Sequence, residues 1–218
     1  MKAYPIFIIG LHNRRCIVVG GGQEAERKVA GLLDCDAAVT VISVELTPQM
    51  SSWADEGRIA WIGRDYQTGD LEGAYLVIAE RSDAETNACI WAEAEAKNAL
   101  VNVMDDVPHC NFIAGSVVRQ GSLTIAISTA GAAPVLAVRQ RQRLKRELGA
   151  EYATFLDLMQ ALREPLTTRY PDFDKRRALW YELVDSDILE LLRTEDKKLV
   201  HERIADIVGA DLLSTQED

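Results

Sequence analysis

The sequence predicts an α/β protein: a Rossmann-like, doubly wound parallel sheet, followed by a hairpin–helix segment and a small all-helical C-terminal domain. Three observations carry this. The stretch CIVVGGGQEAERK at 16–28 reads as a buried β-branched strand, a glycine turn and the opening of a helix. Strand-like and helix-like patterns then alternate as far as Met104, as in a parallel sheet covered on both faces. From about Glu151 the spacing is helical, which predicts a separate bundle.

The first strand ends at Val19, and Gly20, Gly21 and Gly22 stop it. A helix over 23–33 follows, with apolar or small residues at Ala25, Val29, Ala30, Leu32 and Leu33. Gly20-x-Gly22-x-x-Ala25 matches the dinucleotide fingerprint. In that motif one glycine makes the tight turn, the next lets backbone approach a pyrophosphate, and a small third residue lets helix and strand pack closely. The pyrophosphate then sits on unpaired N–H groups at the positive end of the helix dipole, which puts Gln23 and Glu24 in the cofactor set with the three glycines. Glycines also punctuate ordinary βα turns, so the placement at a strand mouth is what gives the pattern its weight.

Upstream, residues 3–9 are apolar with Pro5 and fit an edge strand or a lead-in packed on the core. Downstream, 38–42 is a second β-branched strand. An acidic residue near this point, about 20 residues past the glycines, usually binds the adenosine ribose. Ser43 and Val44 occupy the strand end, and Glu45 comes slightly late. No Arg or Lys stands nearby to hold a 2′-phosphate, which favours NAD over NADP. Glu45, or backbone at Ser43 and Val44, is the expected ribose partner; a solvated loop charge is an equally good reading of Glu45.

A short helix over 48–56 ended by Gly57, a strand over 58–62 and a strand over 74–79 come next. The exit of that fourth strand, Glu80-Arg81-Ser82-Asp83, opens a long helix over 83–98, with Ser82 or Asp83 as its cap. A fifth strand over 100–104 leaves through Asp105-Asp106-Val107-Pro108-His109-Cys110. Residues 112–118 and 123–128 around Gln120-Gly121 then form a hairpin, and Pro134 suits the first turn of a helix. The tail has predicted breaks at Pro165, Pro171 and Gly209. The expected division is 1–112 for the NAD-binding domain, 113–149 for the hairpin–helix segment and 150–218 for the helical domain.

Composition narrows the functions. With 218 residues and 48% hydrophobic content, the chain can bury a real core. No stretch approaches the roughly 20 apolar residues of a membrane span. The run from Ile6 to Leu11 is too short for the core of a signal peptide, so a cytoplasmic location without membrane contact is expected. Cys16, Cys35, Cys89 and Cys110 lie far apart with no Cys-x-x-Cys, so buried reduced thiols and no bound metal are expected. A formal charge of −10 disfavours nucleic-acid binding, and an acidic substrate needs a local basic patch.

Taken together, GGGxxAxxK at 20–28, VNVMDD at 101–106, Asn111-Phe112-Ile113 and AISTAGAAPVLA at 126–137 resemble the precorrin-2 dehydrogenase family, the siroheme synthase amino-terminal module, some members of which are also sirohydrochlorin ferrochelatases. The resemblance covers about 150 residues in order. It implies NAD-dependent dehydrogenation of precorrin-2 to sirohydrochlorin, insertion of Fe2+ or Co2+ as a second substrate in bifunctional members, and a homodimer formed through the 113–149 segment. The methyltransferase domain fused to some members is not in this sequence, so methylation is not expected of it.

By the same resemblance, Asp105 is the expected catalytic carboxylate, able to take a proton or orient the ring. Asp106 suits a turn cap, and His109 is left outside the site as a hydrogen-bonded loop histidine. Asn111, Ser128, Thr129, Arg139 and Arg143 are the expected substrate contacts. Ala130 stands where the family commonly has glycine, which narrows the backbone angles open to the Ser128-Thr129-Ala130-Gly131 turn. The run from Arg139 to Arg146 is the one dense basic stretch in an acidic chain; a solvated helix face is its plainer reading, and a polycarboxylate tetrapyrrole its functional one. Two other functions remain open at this point: a non-catalytic NAD-sensing regulatory module, which leaves Asp105 and the hairpin unexplained, and a chelatase that binds little or no NAD.

Overall fold

A computed structural model describes residues 4–80 and 83–210. The chain divides into two compact units, Met1–Ala114 and Gly115–Asp218.

In the first unit, β1 (Arg15–Val19), β2 (Ala38–Ile42), β3 (Ile59–Ile62), β4 (Leu76–Ala79) and β5 (Leu100–Val103) form a parallel sheet in the order β3-β2-β1-β4-β5. The chain steps one way from β1 to β2 and β3, then crosses to β4 on the other side of β1. That reversal makes the carboxyl end of β1 a topological switch point, where doubly wound sheets take their ligands. Val19 pairs with Ile42 of β2 on one side and Ala79 of β4 on the other. Three strand exits, at Gly20, Ser43 and Glu80, therefore open side by side.

The β-branched run supplies both faces of the sheet. Cys16 and Val18 pack with Ala25, Val29 and Leu32 of α1 (Gln23–Leu33) and with Met50 and Trp53 of α2 (Pro48–Asp55). Ile17 and Val77 face the other way, against Ile90 and Ala94 of α3 (Ala84–Ala96). Thr47 caps α2, its hydroxyl accepting from Met50 N at 3.2 Å, and Gly57 follows at φ +71°. Asp83 caps α3, accepting from Glu85 N at 3.0 Å and Thr86 N at 2.9 Å. These bonds, Thr86's foremost, hold its carboxyl down to about 2. Arg81 and Ser82, the alternative cap, lie outside the described residues.

Between β3 and β4 no helix forms. Residues 63–75 run as turns instead, and a buried carboxylate holds them. Glu93 of α3, only 8% exposed, accepts from Tyr66 Oη at 2.5 Å, Gly69 N at 2.9 Å and Leu71 N at 3.1 Å. Burial, and then Glu93 itself, push the Tyr66 hydroxyl up, so it stays a donor. Glu93→Ala strands these donors and should lower stability by about 3 kcal/mol in a urea titration, since each buried unsatisfied group costs about 1–3 kcal/mol. A loss well under about 1 kcal/mol would mean that other contacts hold the connection.

Two expectations need correction in this unit. Residues 4–10 form no strand: Tyr4, Ile6, Phe7 and Ile9 are exposed, and only Ile8 and the buried Leu11 reach the core. The described sheet gives that segment no ladder partner, so its apolar composition alone makes no strand. The cysteines are all free, but only Cys16 is fully buried, which pushes its thiol up to about 11. Cys35 and Cys110 are half-buried, and Cys89 is exposed on α3.

In the second unit, β6 (Ser116–Gln120) and β7 (Leu123–Ile127) form an antiparallel hairpin that turns at Gly121, φ +55°. Pro134 opens α4 (Pro134–Glu147), whose Ala137 is buried. The tail is helical as expected: α5 (Glu151–Ala161), α6 (Arg163–Arg169), α7 (Phe173–Asp185), α8 (Ile188–Arg193) and α9 (Lys197–Val208). Phe155, Leu166, Leu183, Ile188 and Ile204 anchor its core. The breaks differ in part. Pro165 sits inside the first turn of α6 rather than ending a helix, Pro171 lies between α6 and α7, and Gly209 ends α9. Three further breaks, at 162, 186–187 and 194–196, carry no proline or glycine. Residues 211–218 lie outside the described part.

Candidate active site

At the carboxyl ends of β1, β2 and β4 lies a cleft of about 770 Å3, lined by Gly20, Gly21 and Gly22, by Ser43, Val44 and Glu45, and by Glu80 and Asp83. Six of the eight residues assigned to the cofactor therefore meet in one place. Gln23 and Glu24 are exposed on the first turn of α1, and Glu24 pairs with Arg27 instead of turning inward.

Steric constraint explains the glycines. A Cβ on Gly21 would overlap the carbonyl oxygen of Glu45 and the Ser43 hydroxyl, so the turn after β1 and the loop after β2 touch backbone to backbone. Gly20 sits at φ +126°, which no side chain adopts comfortably. Gly22 is different. As the residue capping α1 it has φ −85° and ψ −176°, an extended backbone open to any residue, so its need for glycine is one of space. The loop after β2 is held by Ser43, whose hydroxyl donates to Glu45 O and accepts from Glu45 N at 3.2 Å, and by Trp61 Nε1 donating to Ser43 O at 2.9 Å.

The residue that sequence reasoning passed over is Glu80. Its carboxylate accepts from Gly22 N at 3.1 Å and Ala25 N at 3.2 Å, filling the capping role that Gly22 cannot. The signal available was its place at the exit of a central parallel strand, where this fold binds ligands. Asp65, Tyr66 and Thr86 also line the cleft and were not anticipated. Among the described residues that line it there is no Lys or Arg; Arg81, next to Glu80, lies outside the described residues.

Asp105 follows β5 at φ +59°, a left-handed backbone that aspartate and asparagine tolerate better than most residues, and it is exposed. Asp106 behaves otherwise. Its Oδ2 accepts from Asn87 Nδ2 at 2.9 Å and meets His109 Nδ1 at 2.8 Å, and its side chain does not cap the short 3-10 turn Val107–His109. The expected turn cap is thus a side-chain bridge from the loop to α3, and His109 is hydrogen-bonded as expected. Asn111 accepts from Val101 N at 2.7 Å and donates to Glu95 at 2.7 Å and Ala99 O at 3.0 Å, which uses both amide protons.

In the second unit, Ser128 Oγ accepts from Ala130 N at 3.1 Å and Thr129 Oγ1 from Ala133 N at 3.2 Å. Ala130 adopts φ +50° and Gly131 φ +82°, so the alanine sits where glycine would be unstrained. Arg139 and Arg143 are exposed along α4, and Arg143 Nε pairs with Glu147 at 2.7 Å. Among the described residues, no group of three or more His, Cys, Asp or Glu is placed to hold a metal ion, and no helix is long and apolar enough to cross a membrane.

Comparison with known proteins bears on the whole chain. Residues 7–116 match a family described as putative NAD(P)-binding, 120–147 one described as sirohaem biosynthesis protein central, and 151–207 the sirohaem synthase dimerisation region. The siroheme synthase of Actinobacillus pleuropneumoniae serotype 3 is 34% identical over 212 residues, which cover 97% of this chain and 43% of that protein. The siroheme synthase of Methylobacillus flagellatus is 39% identical over 190 residues, covering 87% of this chain and 40% of that protein. The chain thus spans less than half the length of these relatives. Among solved structures, SirC, a precorrin-2 dehydrogenase, shares the fold with a TM-score of 0.76 at 22% identity, over 94% of this chain and 98% of that one. Three family matches in unbroken succession, on a parallel sheet whose glycine turn opens at the switch point, establish that the chain belongs to the sirohaem synthase family that these putative NAD(P)-binding, central and dimerisation regions describe.

Proposed function

We propose that this chain oxidises precorrin-2 to sirohydrochlorin with NAD as hydride acceptor. The observation that carries the reading is the cleft where the glycine turn, the loop after β2 and the exit of β4 converge in a member of this family. The glycines fit a dinucleotide: the N–H groups of the α1 N-terminus suit a pyrophosphate, and Ser43, Val44 and Glu45 suit the adenosine ribose. The described lining, with Glu45, Glu80 and Asp83 and, among the described residues, no Lys or Arg, suits NAD rather than the additional phosphate of NADP. When bound, NAD supplies the acceptor for the hydride; the macrocycle also gives up one proton, and the exposed Asp105 carboxylate takes that proton or holds the ring.

In the second unit, Ser128, Thr129, Arg139 and Arg143 are assigned to the carboxylate-rich tetrapyrrole, Arg143 by exchanging Glu147 for a substrate carboxylate. Asn111, with its amide protons spent on Glu95 and Ala99, is assigned to holding the end of the sheet instead of substrate. Iron or cobalt enters only as a second substrate, in a ferrochelatase step on sirohydrochlorin. Segments 1–112, 113–149 and 150–218 serve cofactor binding, substrate contact with assembly, and assembly respectively, in the cytoplasm. Turnover of precorrin-2 with NAD, followed by the appearance of NADH and sirohydrochlorin, tests the reading. NAD binding without turnover would favour a sensing module, and metal insertion without NAD binding a simple chelatase.

Assembly follows from exposed apolar surface. Val135, Leu136 and Val138 on α4, and Phe173 and Tyr181 on α7, are exposed, within the region whose tail matches the dimerisation family. Light scattering at micromolar concentration should report twice the monomer mass, and Leu136→Asp should weaken that dimer. A monomeric wild-type chain would exclude the dimer.

A further inference from the structure

The backbone donors suited to a pyrophosphate are already engaged by the chain's own Glu80. Its two carboxylate oxygens take Gly22 N–H and Ala25 N–H, one oxygen each, at 3.1 and 3.2 Å. Those are the capping residue and the third residue of α1, the positions a helix N-terminus offers to an anion. The glycines make room for this arrangement. A Cβ on Gly20 would lie 2.5 Å from Glu80 Oε2 and 2.8 Å from its Cβ and Cγ, and one on Gly22 would lie 2.7 Å from Oε1. The space that the fingerprint reserves for phosphate is, in this chain, the space that Glu80 fills.

We propose that Glu80 is an internal competitor for the pyrophosphate subsite: it caps α1 in the unliganded chain and must leave when a dinucleotide binds. The proposal rests on the dinucleotide reading of the cleft. A carboxylate and a pyrophosphate cannot share the same N–H groups, because both are anions and both need the volume beside Gly20 and Gly22. Each dinucleotide that binds therefore displaces a hydrogen-bonded cap. The apparent affinity is the intrinsic one reduced by the fraction of molecules in which Glu80 has swung away. Glu80 thereby sets cofactor affinity without being a partner of the bound cofactor. It also keeps the α1 terminus satisfied between turnovers, a role that Gly22, with no side chain, cannot take.

The test is a titration of NAD by calorimetry into the wild-type chain, Glu80→Ala and Glu80→Gln, paired with thermal melting of each protein with and without NAD. Glu80→Ala should bind NAD about tenfold more tightly than wild type, the equilibrium weight of an ordinary helix cap. Glu80→Gln keeps the shape with a neutral, weaker acceptor and should fall between the two. Without NAD both variants should melt lower than wild type, and with saturating NAD the gap should close. The near-isosteric glutamine guards against loss of fold in the alanine variant. If wild type binds NAD and both variants bind it equally well or more weakly, Glu80 is not a competitor and the dinucleotide reading stands untouched. If no form binds NAD, that reading is itself wrong and the proposal goes with it.

Discussion

Gly22→Asp should give a folded chain that has lost NAD binding. The backbone there, at φ −85° and ψ −176°, accepts any residue, and aspartate is among the best helix caps, so α1 should form at least as well as in wild type. What changes is the space. The new Cβ would lie 2.7 Å from Glu80 Oε1, and the new carboxylate would cap the amides that a pyrophosphate needs. Unlike Glu80, an aspartate on the helix itself cannot swing to another element. Hydrogen bonds to charged groups are worth about 1.5–3 kcal/mol each, so losing two of them weakens NAD binding by roughly 100-fold or more. Circular dichroism confirms the fold and calorimetry reads the affinity. Unchanged affinity in a folded variant would mean that the cleft is not a dinucleotide site.

The same position shows how far the sequence could be read. Local chemistry was legible: a β-branched run, three glycines and a helical spacing placed α1 at its observed bounds and β1 one residue short of its start at Arg15. Parallel pairing was legible too, because alternation of strand and helix leaves a doubly wound sheet few other arrangements. Glu80 was not, because its partners at Gly22 and Ala25 stand 58 and 55 residues away, and one acidic residue after a strand looks like any loop charge. Glu93 was hidden for the same reason: its bonds to Tyr66, Gly69 and Leu71 replace a helix with a stapled turn. In the tail, the breaks before α8 and α9 rest on Ser186, Asp187 and Asp196, whose caps and turns carry less signal than proline or glycine. At the amino end the error ran the other way. Apolar residues at 3–9 suggested an edge strand or a lead-in packed on the core, but a strand exists only where a neighbour supplies a ladder, and only Ile8 of the described part of that segment packs inward.

Asp105→Asn should keep the fold and NAD affinity while precorrin-2 oxidation falls by roughly 100-fold or more, the scale for losing a positioned acid–base group. Asparagine suits this comparison better than alanine. At φ +59° alanine would add backbone strain of its own, whereas asparagine tolerates the left-handed region and changes little but the charge. The neighbouring aspartate provides the control, since Asp106 is committed to Asn87 and His109 in the loop. Asp106→Asn should therefore loosen the loop and lower the melting temperature slightly, because a neutral amide accepts those bonds more weakly, with a much smaller loss of turnover. Any ferrochelatase activity should follow Asp105 and not Asp106. Adjacent and chemically identical residues share the same long-range field, so a general effect of charge would touch both variants alike. Small, equal losses in the two would show that the macrocycle reacts without help from Asp105 and would remove it from the catalytic role.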